Sequence, residues 1–444
     1  MMVTKNQWIV VGLLLCLNNH DTIAFSLSTA TKHPSIQCVE QQRKTELSAT
    51  LDSKPIEEDA AQKKPRRVRY AGKYPRNFKD KYKEHAGDDA TISKVLAKGM
   101  TPAGTHVPIM LKECLQHMGL LGKEKKDDEP LLVVDCTLGY GGHSSHILRA
   151  LKQQQQQVPN MHNSELIAFD QDSLEIAKTE ARLREELLSP DGDDDDCHSV
   201  QLTAVNQNFC TLKSHLESTG QVGKVTSLLA DLGLSSMQID DNDRGFTYKR
   251  EGPLDMRMNN NEGETAYELL CRLKPKQLKR MLQENSDEVY ATEIAFGLLH
   301  NKKHTIPETT IELATRVREI VEPLLLEATN KPKKVEKKQL DSTVARVMQA
   351  LRIELNGEFL VLEQLLQDLP SVLAPGGRAV FLTFHSGEDR RVKKAFKAGF
   401  KSGIYSSWSR HVDRPTAAER RNNPRSSCCK LRWAIRSEDV HVVE

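Results

Sequence analysis

The sequence predicts a parallel α/β sheet with a helical segment let into it, and three observations carry that reading. Short apolar runs that end on an acid, "LLVVD" (Leu131–Asp135), "ELIAFD" (Glu165–Asp170) and "TSLLAD" (Thr226–Asp231), alternate with stretches of helical apolar spacing. A further run, "GGRAVFLTFHS" (Gly376–Ser386), follows the helical "LNGEFLVLEQLLQDL". Between about Asp241 and Ala345 the pattern is helical without strand runs, as in "TAYELLCRLKPKQLKRML" and "TTIELATRVREIVEPLL". Strands that alternate with helices form a parallel sheet, and such sheets bind ligands at the carboxyl ends of their strands.

In chain order, residues 1–50 read as a targeting presequence. Lys5 precedes the apolar "WIVVGLLLCL" (Trp8–Leu17), which is short for a bilayer span, and small or polar residues at Thr22 and Ala24 lead to Phe25. The following Ser- and Thr-rich, acid-poor stretch is transit-like. The tandem resembles the bipartite presequence of algae with secondary plastids, so the plastid stroma is the expected compartment, with the mitochondrion as the alternative. The nine cysteines form no CxxC pair, which fits a reducing compartment and no metal site, and a membrane role is not expected of the mature chain.

Residues 51–104 are a charged linker. Its "KKPRRVRYAGKYPRNFKDKYK" (Lys63–Lys83) has the make-up of an RNA contact and equally of a solvated tether. The 63 basic and 61 acidic residues nearly cancel, so an argument for nucleic acid has to come from local clusters. The sheet domain occupies 105–240 and resumes over 346–444, with the helical insert at 241–345. Gln153–Gln157, Asp191–Asp196 and Asn330–Gln339 read as surface-loop expansions.

The turn "DCTLGYGGHSSHIL" separates two cofactor readings. A dinucleotide fingerprint begins at Gly139 and Gly141, but Ser144 stands where its third glycine belongs. Asp135 ahead of the turn suits the ammonium group of S-adenosylmethionine, and Asp170 at the end of the second run suits ribose hydroxyls.

Six motifs then occur in order: "THVPIMLKECL", "DCTLGYGGHS", "DLGLSSMQIDDNDRGFTYKREGPLDMRM", "QALRIELNGE", "APGGRAVFLTFHSGEDRRVK" and "NPRSSCCKLR". Together they resemble the MraW family of ribosomal small-subunit RNA cytosine-N4 methyltransferases, from about Thr105 to about Arg436. The resemblance implies a Rossmann-like S-adenosylmethionine-dependent sheet with an inserted all-helical substrate-recognition domain. It also implies methyl transfer to the exocyclic amine of a cytidine in the small-subunit RNA. Cofactor contacts carry over to Gly141, Gly142, His143, Asp170, Phe209, Asp231 and Gln238.

Asp231, or a backbone carbonyl beside it, is the candidate catalytic group that orients the target amine, in competition with its cofactor contact. Arg244, Arg257, Arg352, His385 and Arg390 are candidate RNA contacts, with Arg257 and Arg352 equally readable as buried structural pairs and His385 as a cap of the following helix. Gly387 departs from the family's leucine and is expected to loosen the segment after the last parallel strand. "SSCC" and "NSDE" (Asn285–Glu288) are further departures. The rival readings are a non-catalytic ribosome-assembly factor and a methyltransferase of DNA or protein.

Overall fold

The computed structural model describes residues 108–121, 130–157, 163–187, 200–300, 305–329 and 337–438. The presequence, the charged linker with Lys63–Lys83, and Asp191–Asp196 lie outside the described residues. After α1 (Leu111–His117), strands and helices alternate through β1 (Leu132–Asp135), α2 (Gly142–Gln157), β2 (Glu165–Phe169), α3 (Ser173–Leu187), β3 (Gln201–Val205), α4 (Leu212–Thr219) and β4 (Val225–Asp231). The short α5 (Ser236–Asp240) leads to α6 (Ala266–Arg272), α7 (Pro275–Ser286), α8 (Ala291–Leu299), α9 (Thr310–Thr329) and α10 (Lys337–Asn356). The chain then returns through α11 (Glu358–Val372), β5 (Leu373–Thr383), α12 (Ser386–Lys401), β6 (Tyr405–Trp408), α13 (Ala417–Asn422) and β7 (Lys430–Arg436).

The seven strands form one sheet in the order β3-β2-β1-β4-β5-β7-β6. The pairs from β3 across to β5 are parallel, and β7 runs antiparallel to both β5 and β6. Along the central strands, alternate residues enter opposite layers. Val133, Leu166, Leu229 and Val380 pack with Leu115, Ile147 and Leu183 of α1, α2 and α3. Val134, Ile167, Leu228 and Phe381 pack with Leu216, Leu369 and Phe396 of α4, α11 and α12. A strand buried on both faces has no polar side to show, so each reads in sequence as an unbroken apolar run. The chain winds one way from β1 to β3 and the other way from β4 to β5. The crevice where this reversal falls lies at the carboxyl ends of β1 and β4.

The helices after β4 have a separate core, with Leu269, Leu282, Ile294, Leu313, Val317, Val344 and Leu351. The chain enters it through a backbone crossing. A Cβ on Gly245 would lie 2.2 Å from the Pro253 carbonyl oxygen, and one on Gly252 would lie 2.0 Å from that of Asn242. Only glycine permits two backbones to approach so closely, which accounts for the "RGF…EGPLD" spacing. The insert's core continues along α10 to Leu351, whereas Leu362 and Leu365 of α11 already pack on the sheet side. The change of core therefore falls at Gly357, beyond the sequence boundary at 345. Gln153–Gln157 is the last turn of α2 and not a loop expansion, with Gln155 buried; glutamine is a good helix former. Among the described residues no helix is long and apolar enough to cross a membrane.

Candidate active site

The carboxyl ends of the parallel strands open onto a cavity of about 750 Å³. The turn after β1 forms one wall. A Cβ on Gly141 (φ 67°) would lie 2.9 Å from Thr179 Cγ2 and 3.0 Å from Leu183 Cδ1, so this glycine lets α3 press against the back of the turn. Thr179 Oγ1 donates to the Gly139 carbonyl at 2.8 Å and Arg182 Nη2 donates to that of Tyr140. Gly142 and His143 line the cavity, whereas Gly141 stands behind it.

Asp135 is 1% exposed and does not line the cavity. Its Oδ2 accepts from Ser144 Oγ at 2.6 Å, and its Oδ1 accepts from the Thr137 N–H at 3.0 Å and the Thr137 hydroxyl at 3.3 Å. The expectation that Asp135 meets an ammonium group is corrected: its oxygens are turned inward and occupied. Ser144 stands in place of a third glycine because it holds this carboxylate.

Asp170 follows β2 on the cavity wall. Its Oδ2 accepts from the Gly139 N–H at 2.7 Å and its Oδ1 from the Asp172 N–H at 2.8 Å. Burial pushes its carboxyl up to about 6, against the pull of those two backbone bonds. Phe209 begins a single 3₁₀ turn capped by Asn208 and adds an apolar surface to the same cavity.

Asp231 ends β4, and its N–H donates to Thr137 Oγ1 at 2.9 Å, joining two strand tips. Its Oδ2 lies 3.5 Å from His143 Nδ1, and its Oδ1 is buried without a hydrogen-bond partner. The side chain lines the cavity and keeps 27% of its area exposed. Burial pushes this carboxyl up to about 6; His143 opposes the shift, while Asp135 and Glu388 add to it. His143 Nε2 lies 3.0 Å from the Ile109 carbonyl. A carbonyl only accepts, so Nε2 carries hydrogen and Nδ1 is the nitrogen that faces Asp231. Gln238 also lines the cavity, but its Oε1 accepts from the Ser235 N–H at 3.0 Å while its own N–H donates to Ser235 Oγ at 3.2 Å. This reciprocal pair is the capping box of α5, so the Gln238 side-chain oxygen serves the helix end.

The predicted RNA contacts divide into two groups. Arg244 is buried away from the cavity, donating to Asp172 Oδ2 at 2.6 Å and to the carbonyls of Met258 and Arg257 at 2.8 and 3.2 Å. The expectation of an RNA contact is corrected there: Arg244 pins the "GPLDMRM" segment to the β2–α3 turn. Arg257, likewise away from the cavity, forms a two-pronged pair with Asp255 at 2.9 and 2.8 Å. Arg390 is exposed and pairs with Asp287 at 2.9 and 3.2 Å, joining α12 to the end of α7.

Arg352 and His385 do line the cavity. Arg352 is held by Glu358 at 2.6 and 2.8 Å, and His385 Nε2 lies 3.0 Å from Glu388 Oε1. Glu388 Oε2 accepts from the N–H groups of Phe384 and His385 at 2.8 and 3.3 Å, capping α12. Gly387 does not loosen this segment. A Cβ there would lie 2.5 Å from Phe359 Cζ, so the Phe359 ring fills the space, and the Arg391 guanidinium lies 3.5 Å over that ring.

Apart from Arg352, the insert's share of the cavity wall escaped the sequence reading. Ala345, Met348, Gln349, Arg352 and Asn356 line it from α10, spaced along one helical face, and Lys249 and Met258 line it from the entry segment. That spacing is visible in "ARVMQALRIELN", but an apolar-and-polar face of this kind looks the same whether it meets a core or a ligand.

A parallel sheet with this crevice, a glycine turn lacking the pyrophosphate pattern, and acids at its strand tips define an S-adenosylmethionine-dependent methyltransferase. The donor set fits that cofactor, with Asp170 beside a turn for ribose hydroxyls and Phe209 for an aromatic base, and the unpartnered buried oxygen of Asp231 is left open to a donor in the same cavity. The chain belongs to the MraW methylase family, whose sequence profile matches residues 103–437. It is similar to "Ribosomal RNA small subunit methyltransferase H 1" of Agathobacter rectalis, 42% identical over 375 residues that cover 84% of this chain and 98% of that protein. It is also similar to "Ribosomal RNA small subunit methyltransferase H 2" of Alkaliphilus metalliredigens, 38% identical over 380 residues, 85% of this chain and 99% of that protein.

Proposed function

We propose that the protein methylates the exocyclic N4 amine of a cytidine in the small-subunit ribosomal RNA of an organellar ribosome, within the subunit, and that the organelle is the plastid. Family membership and the ribosomal relatives support the substrate. The Lys5–Phe25 pattern with its Ser- and Thr-rich sequel supports the compartment. The observation that carries the chemistry is the Asp231 carboxylate, with one buried oxygen unmatched, in a cavity walled by strand tips on one side and by α10 and Asn423–Arg425 on the other.

A cytosine amine is a weak nucleophile because its lone pair is delocalised into the ring. Bound S-adenosylmethionine supplies an electrophilic methyl group. Asp231 accepts a hydrogen bond from the amine, which fixes its orientation, and takes the proton that the nitrogen sheds as its bond to the methyl carbon forms. His143, with its Nε2–H anchored on Ile109, keeps Nδ1 on the far side of that carboxylate. Asp170 and Phe209 would hold the cofactor's nucleoside half, with Gly142 and His143 lining the adjoining wall. The target base has to leave its stack to enter the cavity, and alignment there supplies much of the acceleration. The test is mass mapping of organellar small-subunit RNA from cells lacking the protein. Loss of one methylcytidine from plastid RNA is the expected result. Loss from mitochondrial RNA moves the compartment, and an unchanged pattern in both overturns the proposal.

A further inference from the structure

α12 packs one face on the sheet through Val392, Phe396 and Gly399 and turns the other to solvent. The outer face carries Arg390, Lys393, Lys394, Lys397 and Lys401, all exposed. The helix's acids are elsewhere: Glu388 is buried, and Asp389 is held by Lys430 at 2.9 Å and Arg432 at 2.6 Å. No acid of α12 shares the outer face, although Asp287 from the end of α7 pairs with Arg390 at its start. In a chain with 63 basic and 61 acidic residues, composition does not predict a face of one sign. Other helices follow composition: Arg280 meets Glu284 on α7, and Arg184 meets Glu180 on α3, each one turn away. On α12 the four lysines have no ion pair among the described residues.

We propose that this face of α12 is a phosphate dock that holds the RNA flanking the target cytidine. The inference rests on the ribosomal-RNA reading above. Three features of the helix support it. His385, the N-cap of α12, lines the active-site cavity, so the helix that carries the basic face starts at the cavity and leads away from it. From Arg390 to Lys401 the helix rises about 16 Å, enough to follow several phosphates. Lysines are mobile point charges, suited to a backbone that is held in place and not read for sequence. An anionic membrane is the lesser fit, because no large apolar side chain is exposed on α12 to enter a bilayer.

The experiment compares wild type with the triple variant Lys394→Glu, Lys397→Glu, Lys401→Glu. Methyl transfer to small ribosomal subunits is measured over a salt series, with cofactor affinity and melting temperature measured alongside. The expected result is a KM for subunits raised about tenfold or more, with kcat, cofactor Kd and melting temperature unchanged. The salt dependence of RNA affinity should become shallower by about one unit of slope per lysine. The glutamine triple should move KM the same way by less. An unchanged KM and salt slope in an active, folded triple variant overturns the dock and leaves the substrate reading standing. A wild-type protein that does not methylate small-subunit RNA overturns both. Lys224→Glu, just ahead of β4 at the end of the sheet opposite the cavity, is the charge control, and an equal KM shift there overturns the dock as well. So does a loss confined to phosphatidylserine-vesicle binding.

Discussion

Asp135 and Asp231 end adjacent parallel strands, and both are tied to Thr137: one accepts from its hydroxyl and N–H, the other donates its own N–H to the hydroxyl oxygen. From there they diverge. Asp135 is enclosed, with Ser144 and Thr137 on its two oxygens. Asp231 is left with one oxygen unmatched and the other 3.5 Å from a histidine nitrogen, and its carboxyl is pushed up to about 6. The same residue type at the same topological position is thus a structural brace on one strand and a carboxylate with an open oxygen on the next. What separates them is whether neighbours supply donors, and a serine nine residues along the chain decides that for Asp135.

The sharpest way to break this contrast is Asp231→Asn. Methyl transfer should fall by about 10²–10⁴-fold in a steady-state assay, with cofactor binding by calorimetry largely kept. A loss of binding equal to the loss of rate would assign Asp231 to the cofactor instead of the amine. The same change should stabilise the free protein at pH 8 by up to about 3 kcal/mol. The ionised carboxylate disfavours the folded state above its folded value near 6, and this penalty is absent below the unfolded value near 4, so urea titrations at pH 4 should show no gain. Wild-type activity should correspondingly fall as pH drops through about 6.

Asp135→Ala should do the opposite: a stability loss of about 2–4 kcal/mol from stranding Ser144 and Thr137, with cofactor affinity retained in the folded fraction. An unchanged denaturation midpoint would remove Asp135 from its bracing role. Gly387→Leu should cost about 1–3 kcal/mol by overpacking against Phe359, and Phe359→Ala in the same chain should recover most of it; additive losses in the double-mutant cycle would refute the space-filling account. The smallest effect is expected from Gln238→Ala, about 1 kcal/mol for the lost cap of α5, read as a small drop in melting temperature.

Much of the sheet was legible because a doubly buried strand leaves a continuous apolar run, and an acid at its end marks the tip. Asp170 and Asp231 were found in this way. Asp135 was misread because spacing does not tell an occupied carboxylate from a free one. Arg244 was misread for a related reason: its partner Asp172 lies 72 residues away and becomes its neighbour only through the chain's return over the sheet. Gly387 seemed to loosen its segment because the ring that fills its place comes from α11, outside the motif.

Asn356 binds the Met256 carbonyl at 3.0 Å with its amide nitrogen and receives the Met258 N–H at 2.8 Å on its oxygen. The place where the chain departs for the inserted helices and the place where it comes back are therefore one place. An excursion whose ends coincide is a cassette. Its length can drift and its surface can be rewritten for a different substrate while the strand tips keep their positions, since closing so pre-joined a loop adds little entropy cost.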